Sequence, residues 1–130
     1  MRFLPTKIHG GLDYIVALTL IFAPNIFQFS ALGGAAVWVP RILGVGLIVY
    51  SVFTNYEWGV IKVLPMSYHL VVDFVAALLL ATSPFLFGFA NQGLNVWLPH
   101  VVVGVTVILV VLVSQNQPGY TTTGKYGAPA

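Results

Sequence analysis

Four long apolar stretches alternate with short polar segments along the chain, at about residues 8–29, 39–54, 68–89 and 97–114. An α-helix rises about 1.5 Å per residue, so about 20 apolar residues cross the roughly 30 Å hydrocarbon core of a bilayer. The pattern therefore predicts four membrane-spanning helices, of which the second is the shortest.

The segments between these stretches are rich in residues that favour turns, at 30–36, 55–59 and 91–95. Pro40 and Pro99 fall near predicted helix starts, where a missing N–H costs little. Pro24 and Pro84 come late in their helices and are expected to end or kink them at the far interface. Residues 116–130 have no apolar periodicity and are rich in Gly, Thr and Pro, which predicts a flexible C-terminal tail.

Composition supports lipid as the solvent of this chain. Hydrophobic residues make up 58% and charged residues 6%, whereas roughly a quarter of a soluble domain is charged. The lipid bilayer is therefore an expected partner. A net charge of +2 is too small to suggest a nucleic acid partner. The absence of cysteine excludes disulfides, thiolate metal sites and thiol redox chemistry.

The basic residues predict the orientation of the helices. Arg2, Lys7, Lys62 and Lys125 fall on one side of the predicted spans, and Arg41 falls on the other. Because cytoplasmic loops carry the excess of Lys and Arg, both termini are expected in the cytoplasm of a multi-pass protein of the cell membrane. Aromatic residues, including Tyr56 on the cytoplasmic side, are interpreted as the belts at the two interfaces.

The chain repeats itself after 60 residues, which places Leu4-Pro5 on Leu64-Pro65. The same shift aligns further matching pairs, namely His9 with His69, Asp13 with Asp73, Pro24 with Pro84 and, after one deleted residue, Trp38 and Pro40 with Trp97 and Pro99. We therefore expect one hairpin repeat at 1–63 and a second at 64–115. Since each repeat holds two spans, both enter the membrane in the same direction. The predicted fold is an all-α, four-helix transmembrane bundle with a pseudo-two-fold axis along the membrane normal.

A short motif occurs near the end of the first helix of each repeat. The second copy reads Ser83-Pro84-Phe85 and the first reads Ala23-Pro24-Asn25. A doubled membrane hairpin with this motif resembles the SPW-repeat family of small integral membrane proteins, although neither copy carries the tryptophan. The resemblance implies the topology. It implies no established activity, and therefore no catalytic residue.

Two pairs of polar residues are the leading candidates for a site: His9 with Asp13, and His69 with Asp73. Residues four apart share one face of a helix, and the repeat should place both pairs at one depth. A carboxylate below the surface of a membrane helix costs a few kcal/mol, so it normally faces protein or water and has a partner. These side chains are therefore expected to face the bundle interior.

Four interpretations of these pairs remain open. In the structural one, each Asp complements the N-terminal dipole of its helix and holds its own His, which fixes the helix register. The pairs could instead form a proton or cation relay. They could also hold a divalent metal such as Zn²⁺, although the spacing matches no established metal signature, so the sequence assigns no metal ligand. The fourth is an anion or lipid headgroup site that includes Lys7 and Lys62.

The remaining signals favour a structural protein. Arg41 and its predicted repeat counterpart His100 are interpreted as cations that snorkel to the outer surface. No paired nucleophile and no cofactor fingerprint is recognisable, so neither an enzyme nor a cofactor is expected. The sequence favours a structural or accessory membrane module, and the alternative is a proton or cation channel or transporter. Small residues on the helix faces suggest a homo-oligomer or a subunit of a larger membrane assembly.

Overall fold

The computed structural model describes residues 2–119, and within this range the fold is built from helices. The four α-helices are α1 (Thr6–Ile26), α2 (Gly34–Val52), α3 (Met66–Leu86) and α4 (Leu94–Val113), with a short 3₁₀ turn at Ser30–Leu32. The predicted all-α, four-helix fold class is confirmed. Most of the predicted flexible tail, from residue 120 to residue 130, lies outside the described residues.

Each helix begins earlier than hydropathy alone predicted. The largest difference is in α2, which begins at Gly34 rather than at residue 39, so Pro40 lies inside the helix. The chain enters α2 through Gly33 and α4 through Gly93, whose φ angles of 65° and 124° favour glycine. Hydropathy reports where side chains become apolar, whereas these backbone turns decide where the helices begin.

Among the described residues, α2, α3 and α4 are long and apolar enough to cross a membrane. The first helix has 21 residues, enough for a span, but its composition includes Lys7, His9 and Asp13. Of these three, His9 and Asp13 are buried within the bundle, while the exposed face of α1 carries Ile15 and Phe22. The outward surface of α1 is therefore apolar, although its average hydropathy is lower.

Small residues bring the two helices of each hairpin into backbone contact. A Cβ atom added to Gly44 would lie 2.7 Å from the carbonyl oxygen of Ala17, and one added to Gly104 would lie 2.8 Å from that of Ala77. Both distances are below any normal carbon–oxygen contact. Helix α1 thus packs closely on α2, and α3 packs closely on α4, while α2 and α3 make the main backbone contact between the hairpins.

Each repeat begins by pairing with the end of the other repeat. Leu4 forms an isolated parallel bridge with Ser114, and Leu64 forms the equivalent bridge with Thr54. The backbone hydrogen bonds of these bridges are between 2.7 and 2.9 Å long. The 60-residue spacing therefore relates contacts as well as sequence, and the two-fold axis itself stays a prediction.

The second helices of the repeats keep the same spacing of 60 residues. Gly33 and Gly93 both precede their helices, and Gly44 and Gly104 make matching contacts. The structure therefore lacks the one-residue deletion predicted from the Trp-x-Pro alignment. The positional equivalent of His100 is Pro40, and the proline motif has shifted by one residue between the copies.

Candidate functional site

The two predicted pairs meet in a single buried cluster. We call His9, Asp13, His69 and Asp73 the His–Asp cluster; none of the four is more than 6% exposed. Within a repeat, His9 Nε2 lies 3.2 Å from Asp13 Oδ1, and His69 Nε2 lies 3.2 Å from Asp73 Oδ2. Between the repeats, His9 Nε2 lies 2.9 Å from Asp73 Oδ2, and His69 Nε2 lies 3.0 Å from Asp13 Oδ2. Each histidine therefore contacts both carboxylates.

This arrangement differs from the helix-capping part of the structural interpretation. The N-cap residues of α1 and α3 are Pro5 and Pro65, and neither forms a side-chain cap. Asp13 is seven residues beyond Thr6, the start of its helix, which is about 10 Å along the axis and beyond the first turn. Each carboxylate also contacts the histidine of the other repeat. Each Asp therefore does more than hold the His of its own helix, and the cluster connects the two repeats.

Two hydroxyl groups contact the outer nitrogens of the histidines. Nδ1 of His9 lies 2.6 Å from Ser114 Oγ, and Nδ1 of His69 lies 2.7 Å from Thr54 Oγ1. Ser114 and Thr54 follow the last helix of their repeats and are 60 residues apart. Each histidine is therefore oriented by a hydroxyl group from the other repeat.

The hydroxyl groups show which atom is the donor in their contacts with the histidines. Ser114 Oγ donates to the carbonyl of Val110, and Thr54 Oγ1 donates to the carbonyl of Tyr50, both at 2.6 Å. The backbone N–H groups of Ser114 and Thr54 donate instead to the carbonyls of Val111 and Ser51. The carbonyls of Val110 and Tyr50 therefore accept from the hydroxyls in place of those N–H groups. Since each hydroxyl has one proton, its oxygen accepts from the histidine. Nδ1 of each histidine therefore carries a proton, and Nε2 points towards the carboxylates.

Two tyrosines hold the carboxylates. Tyr56 donates to Asp13 Oδ2 at 2.6 Å, and Tyr50 donates to Asp73 Oδ1. Tyr56 lies in the connection between α2 and α3 and is fully buried, so its interpretation as part of an interfacial belt is wrong. Burial and the neighbouring Asp13 raise the pKa of Tyr56 far above its usual range. The phenol therefore stays protonated and remains a donor.

The connection that carries Tyr56 packs against α1. Trp58 Nε1 donates to the carbonyl of Lys7 at 2.7 Å, and Tyr14 donates to the carbonyl of Trp58 at 2.9 Å. Gly10 makes this possible, because a Cβ atom there would lie 3.0 Å from the Tyr56 ring and closer still to Trp58. These contacts fix the connection over the His–Asp cluster.

A cavity of about 70 Å³ lies beside the cluster and reaches His9, Asp13 and Asp73. Its other walls come from α1, α2 and α4, including Leu47 and Thr106. Its remaining lining residues are mostly aliphatic, and a buried water needs polar partners as well as space. The cluster therefore supplies most of the polar groups of this cavity.

A third buried histidine lies at the opposite end of the bundle. His100 is 2% exposed, so its interpretation as a snorkelling surface cation is wrong. Its Nε2 lies 2.9 Å from the carbonyl oxygen of Ala36. That carbonyl would normally accept the N–H of residue 40, but Pro40 has none. His100 thus satisfies a carbonyl that a proline leaves without its helical donor.

A similar compensation occurs beside Pro84, one of the repeat-motif prolines. Pro24 and Pro84 are buried two residues before the ends of α1 and α3. Pro84 leaves the carbonyl of Leu80 without its helical donor, and Ser83 Oγ donates to that carbonyl at 2.7 Å. Of the Trp-x-Pro residues, Pro40 is buried, while Pro99, Trp97 and Trp38 are partly or largely exposed.

Sequence reasoning missed the partners of the cluster, namely Tyr50, Thr54, Tyr56 and Ser114. The signal for two of them was present, because Thr54 and Ser114 are hydroxyl residues 60 positions apart. The assumed one-residue deletion moved them out of alignment. The tyrosines left no such signal, since tyrosine near a predicted helix end is also typical of a membrane interface.

Comparison with known proteins identifies the family. The profile described as the SPW repeat domain matches residues 7–114, so the chain belongs to this family. No curated protein and no solved structure matches the chain. Together with three helices long and apolar enough to span a bilayer, this membership identifies a membrane protein.

Proposed function

Starting from membership of the SPW repeat family, we propose that this protein is a structural or accessory module of the cell membrane, and that the His–Asp cluster joins its two hairpins. One observation supports the proposal above the others. Each histidine contacts the carboxylates of both repeats at 2.9 to 3.2 Å, in a site that is almost completely buried.

The energetics of buried ionic groups favour such a role. Removing one member of a buried charged network typically costs about 3–5 kcal/mol, because the remaining charge loses its partner. A displaced hairpin would remove the shorter of the two histidine contacts of Asp13 and of Asp73, and would leave each carboxylate with the histidine of its own helix alone in a low-dielectric interior. The cluster therefore stabilises one register of the hairpins over others.

The surface supports a location in the bilayer and contacts with other subunits. Large apolar side chains such as Ile42, Val71 and Leu109 are about 60% exposed along the helices. The basic residues described above give the proposed orientation, with both termini in the cytoplasm. A module of this kind acts through its lipid-facing surface, as a homo-oligomer or as a subunit of a larger assembly, and performs no catalysis.

A stability and flux experiment tests the proposal. Asp13→Asn and Asp73→Asn are compared with Glu57→Gln, which removes the charge of the remaining acidic side chain and keeps an oxygen that can accept from Thr6. We expect the two aspartate variants to unfold at lower SDS fractions in mixed micelles and the control to match the wild type. Proton and cation flux in liposomes should stay at background for all four proteins.

Two outcomes would contradict the proposal. Wild-type flux that both folded aspartate variants abolish would favour the channel alternative. Aspartate variants as stable as the wild type would show that the cluster does not join the hairpins.

A further inference from the structure

We propose that the His–Asp cluster binds one divalent transition-metal ion, and that Zn²⁺ is the ion it fits best. The inference goes beyond the proposed function, which the cluster can serve without a metal. It rests on the ligand set, on the orientation of the ring nitrogens and on the space beside the cluster.

The ligand set is the first argument. One donor atom from each of the four residues can be chosen so that all four lie within 4.8 Å of one another. Two imidazole nitrogens and two carboxylate oxygens are ligands that Zn²⁺ uses in tetrahedral sites. Mg²⁺ and Ca²⁺ instead take six or more oxygen ligands, which this cluster does not offer.

The distances between the donor atoms also suit a small ion. Tetrahedral Zn²⁺ with bonds of about 2.0–2.2 Å sets its ligands about 3.3–3.6 Å apart. The four nitrogen–oxygen contacts of the cluster are 2.9, 3.0, 3.2 and 3.2 Å long. These contacts use both oxygens of Asp13, and the separations within the full donor set are at most 4.8 Å. A tetrahedral ion would therefore lengthen the short contacts by a few tenths of an ångström and draw any wider pair of ligands together.

The orientation of the histidines is an independent observation. Nε2 of His69 is fully buried, points into the cluster and forms no aligned hydrogen bond, although Asp13 Oδ2 is 3.0 Å away. The hydroxyls of Thr54 and Ser114 accept from the Nδ1 atoms and leave both Nε2 atoms facing inward. Metal-binding histidines are normally oriented by such a hydrogen bond from their other nitrogen.

Charge balance is compatible with the ion. In the metal-free cluster, protons on both Nε2 atoms pair the two histidines with the two carboxylates. One divalent cation carries the same charge as those two protons, so it can replace them at the Nε2 atoms while both carboxylates stay balanced. The adjoining cavity of about 70 Å³ reaches His9, Asp13 and Asp73 and gives the cluster side chains room to rearrange around an ion.

The first test uses the wild-type protein, purified without a histidine tag, stripped with a chelator and returned to detergent. We expect it to bind one Zn²⁺ per chain by elemental analysis and to unfold at a higher temperature with Zn²⁺ than with Mg²⁺. Co²⁺ should give the intense visible absorption bands of a tetrahedral site. A folded wild-type protein with neither bound metal, thermal shift nor Co²⁺ bands would overturn the proposal.

Variants then locate the ion. Asp73→Asn and His69→Gln should lose the Co²⁺ bands, whereas Glu57→Gln should keep them. Thr54→Val and Ser114→Ala leave every ligand in place but remove a supporting hydrogen bond, so we expect affinity to fall about 10–100-fold. Metal binding that is unchanged in the cluster variants would place the ion elsewhere and overturn the proposal.

Stability measured in the presence of chelator separates this proposal from the proposed function. Aspartate variants that are less stable than the wild type without metal, combined with a wild type that binds no Zn²⁺, would overturn the metal site alone. Aspartate variants of normal metal-free stability, combined with a wild type that binds Zn²⁺, would contradict the joining role of the bare cluster and leave the metal site in place.

Discussion

The two ends of the bundle both contain buried histidine, but they use it differently. At the end where α1 and α3 begin, His9 and His69 contact two carboxylates, and all of these contacts are between side chains. At the other end, His100 contacts backbone carbonyls, with the rings of Phe29 and Phe89 centred 5.7 and 4.8 Å away. One end is ionic and the other is mainly apolar.

This difference shows how a small membrane bundle can hold two hairpins together. In lipid, apolar surface alone gives little preference between one helix partner and another. Charged side chains that pair with each other do give a preference, and here they connect α1 with α3. At the opposite end, His100 satisfies the carbonyl exposed by Pro40, while apolar residues fill the space.

The largest expected effect comes from breaking the ionic end with an apolar residue. Asp13→Leu leaves two histidines with one carboxylate and should lower the free energy of unfolding by about 3–5 kcal/mol. SDS-induced unfolding in mixed micelles measures it. Replacing all four cluster residues by apolar residues of similar volume should cost much less than the single change. A single variant that is as stable as the fourfold variant would show that the charges do not depend on each other.

Breaking the apolar end should have a smaller effect. His100→Leu removes the donor to the carbonyl of Ala36, and an unsatisfied buried carbonyl costs about 1–3 kcal/mol. The same unfolding measurement applies, with the exposed Val102→Ala on the same helix as the control. A loss equal to that of Asp13→Leu would remove the distinction between the two ends.

A double-mutant cycle sharpens the account of the apolar end. Pro40→Ala restores the N–H that normally satisfies the carbonyl of Ala36, so His100→Leu should cost about 1 kcal/mol less in that background. The measurement is the coupling free energy from the four unfolding curves. Additive effects would mean that His100 does not compensate for Pro40.

The smallest effect concerns the motif prolines. Ser83→Ala removes the hydrogen bond to the carbonyl of Leu80 within α3 and should cost about 0.6 kcal/mol, if it is worth as much as an average hydrogen bond between membrane helices. The opposite change in the first repeat, Ala23→Ser, places a hydroxyl beside Pro24 and should not destabilise the protein. Equal losses for both changes would contradict a role for the hydroxyl beside proline.

Sequence reasoning predicted the helices and the residues of the cluster but not their connections. The spacing of His9 and Asp13, and its repetition at His69 and Asp73, was enough to place four side chains on interior faces. It could not show that each histidine contacts the carboxylate of the other repeat, because this depends on how the hairpins pack. Helix starts were misplaced for a related reason, since Gly33 and Gly93 act through backbone angles and not through hydropathy.

The reciprocal bridges of Leu4 with Ser114 and of Leu64 with Thr54 have a consequence for chain connectivity. Each hairpin contributes four residues to these contacts: one Leu, one His, one Asp and one hydroxyl residue. The first set is Leu4, His9, Asp13 and Thr54, and the second is Leu64, His69, Asp73 and Ser114. Each member of one set contacts a member of the other. Such an interface is self-complementary, as in an isologous dimer. The covalent link between the hairpins is therefore not what brings these groups together. A circular permutant opened near residue 60, with residues 2 and 119 joined by a linker, would retain every cross-repeat contact of the cluster.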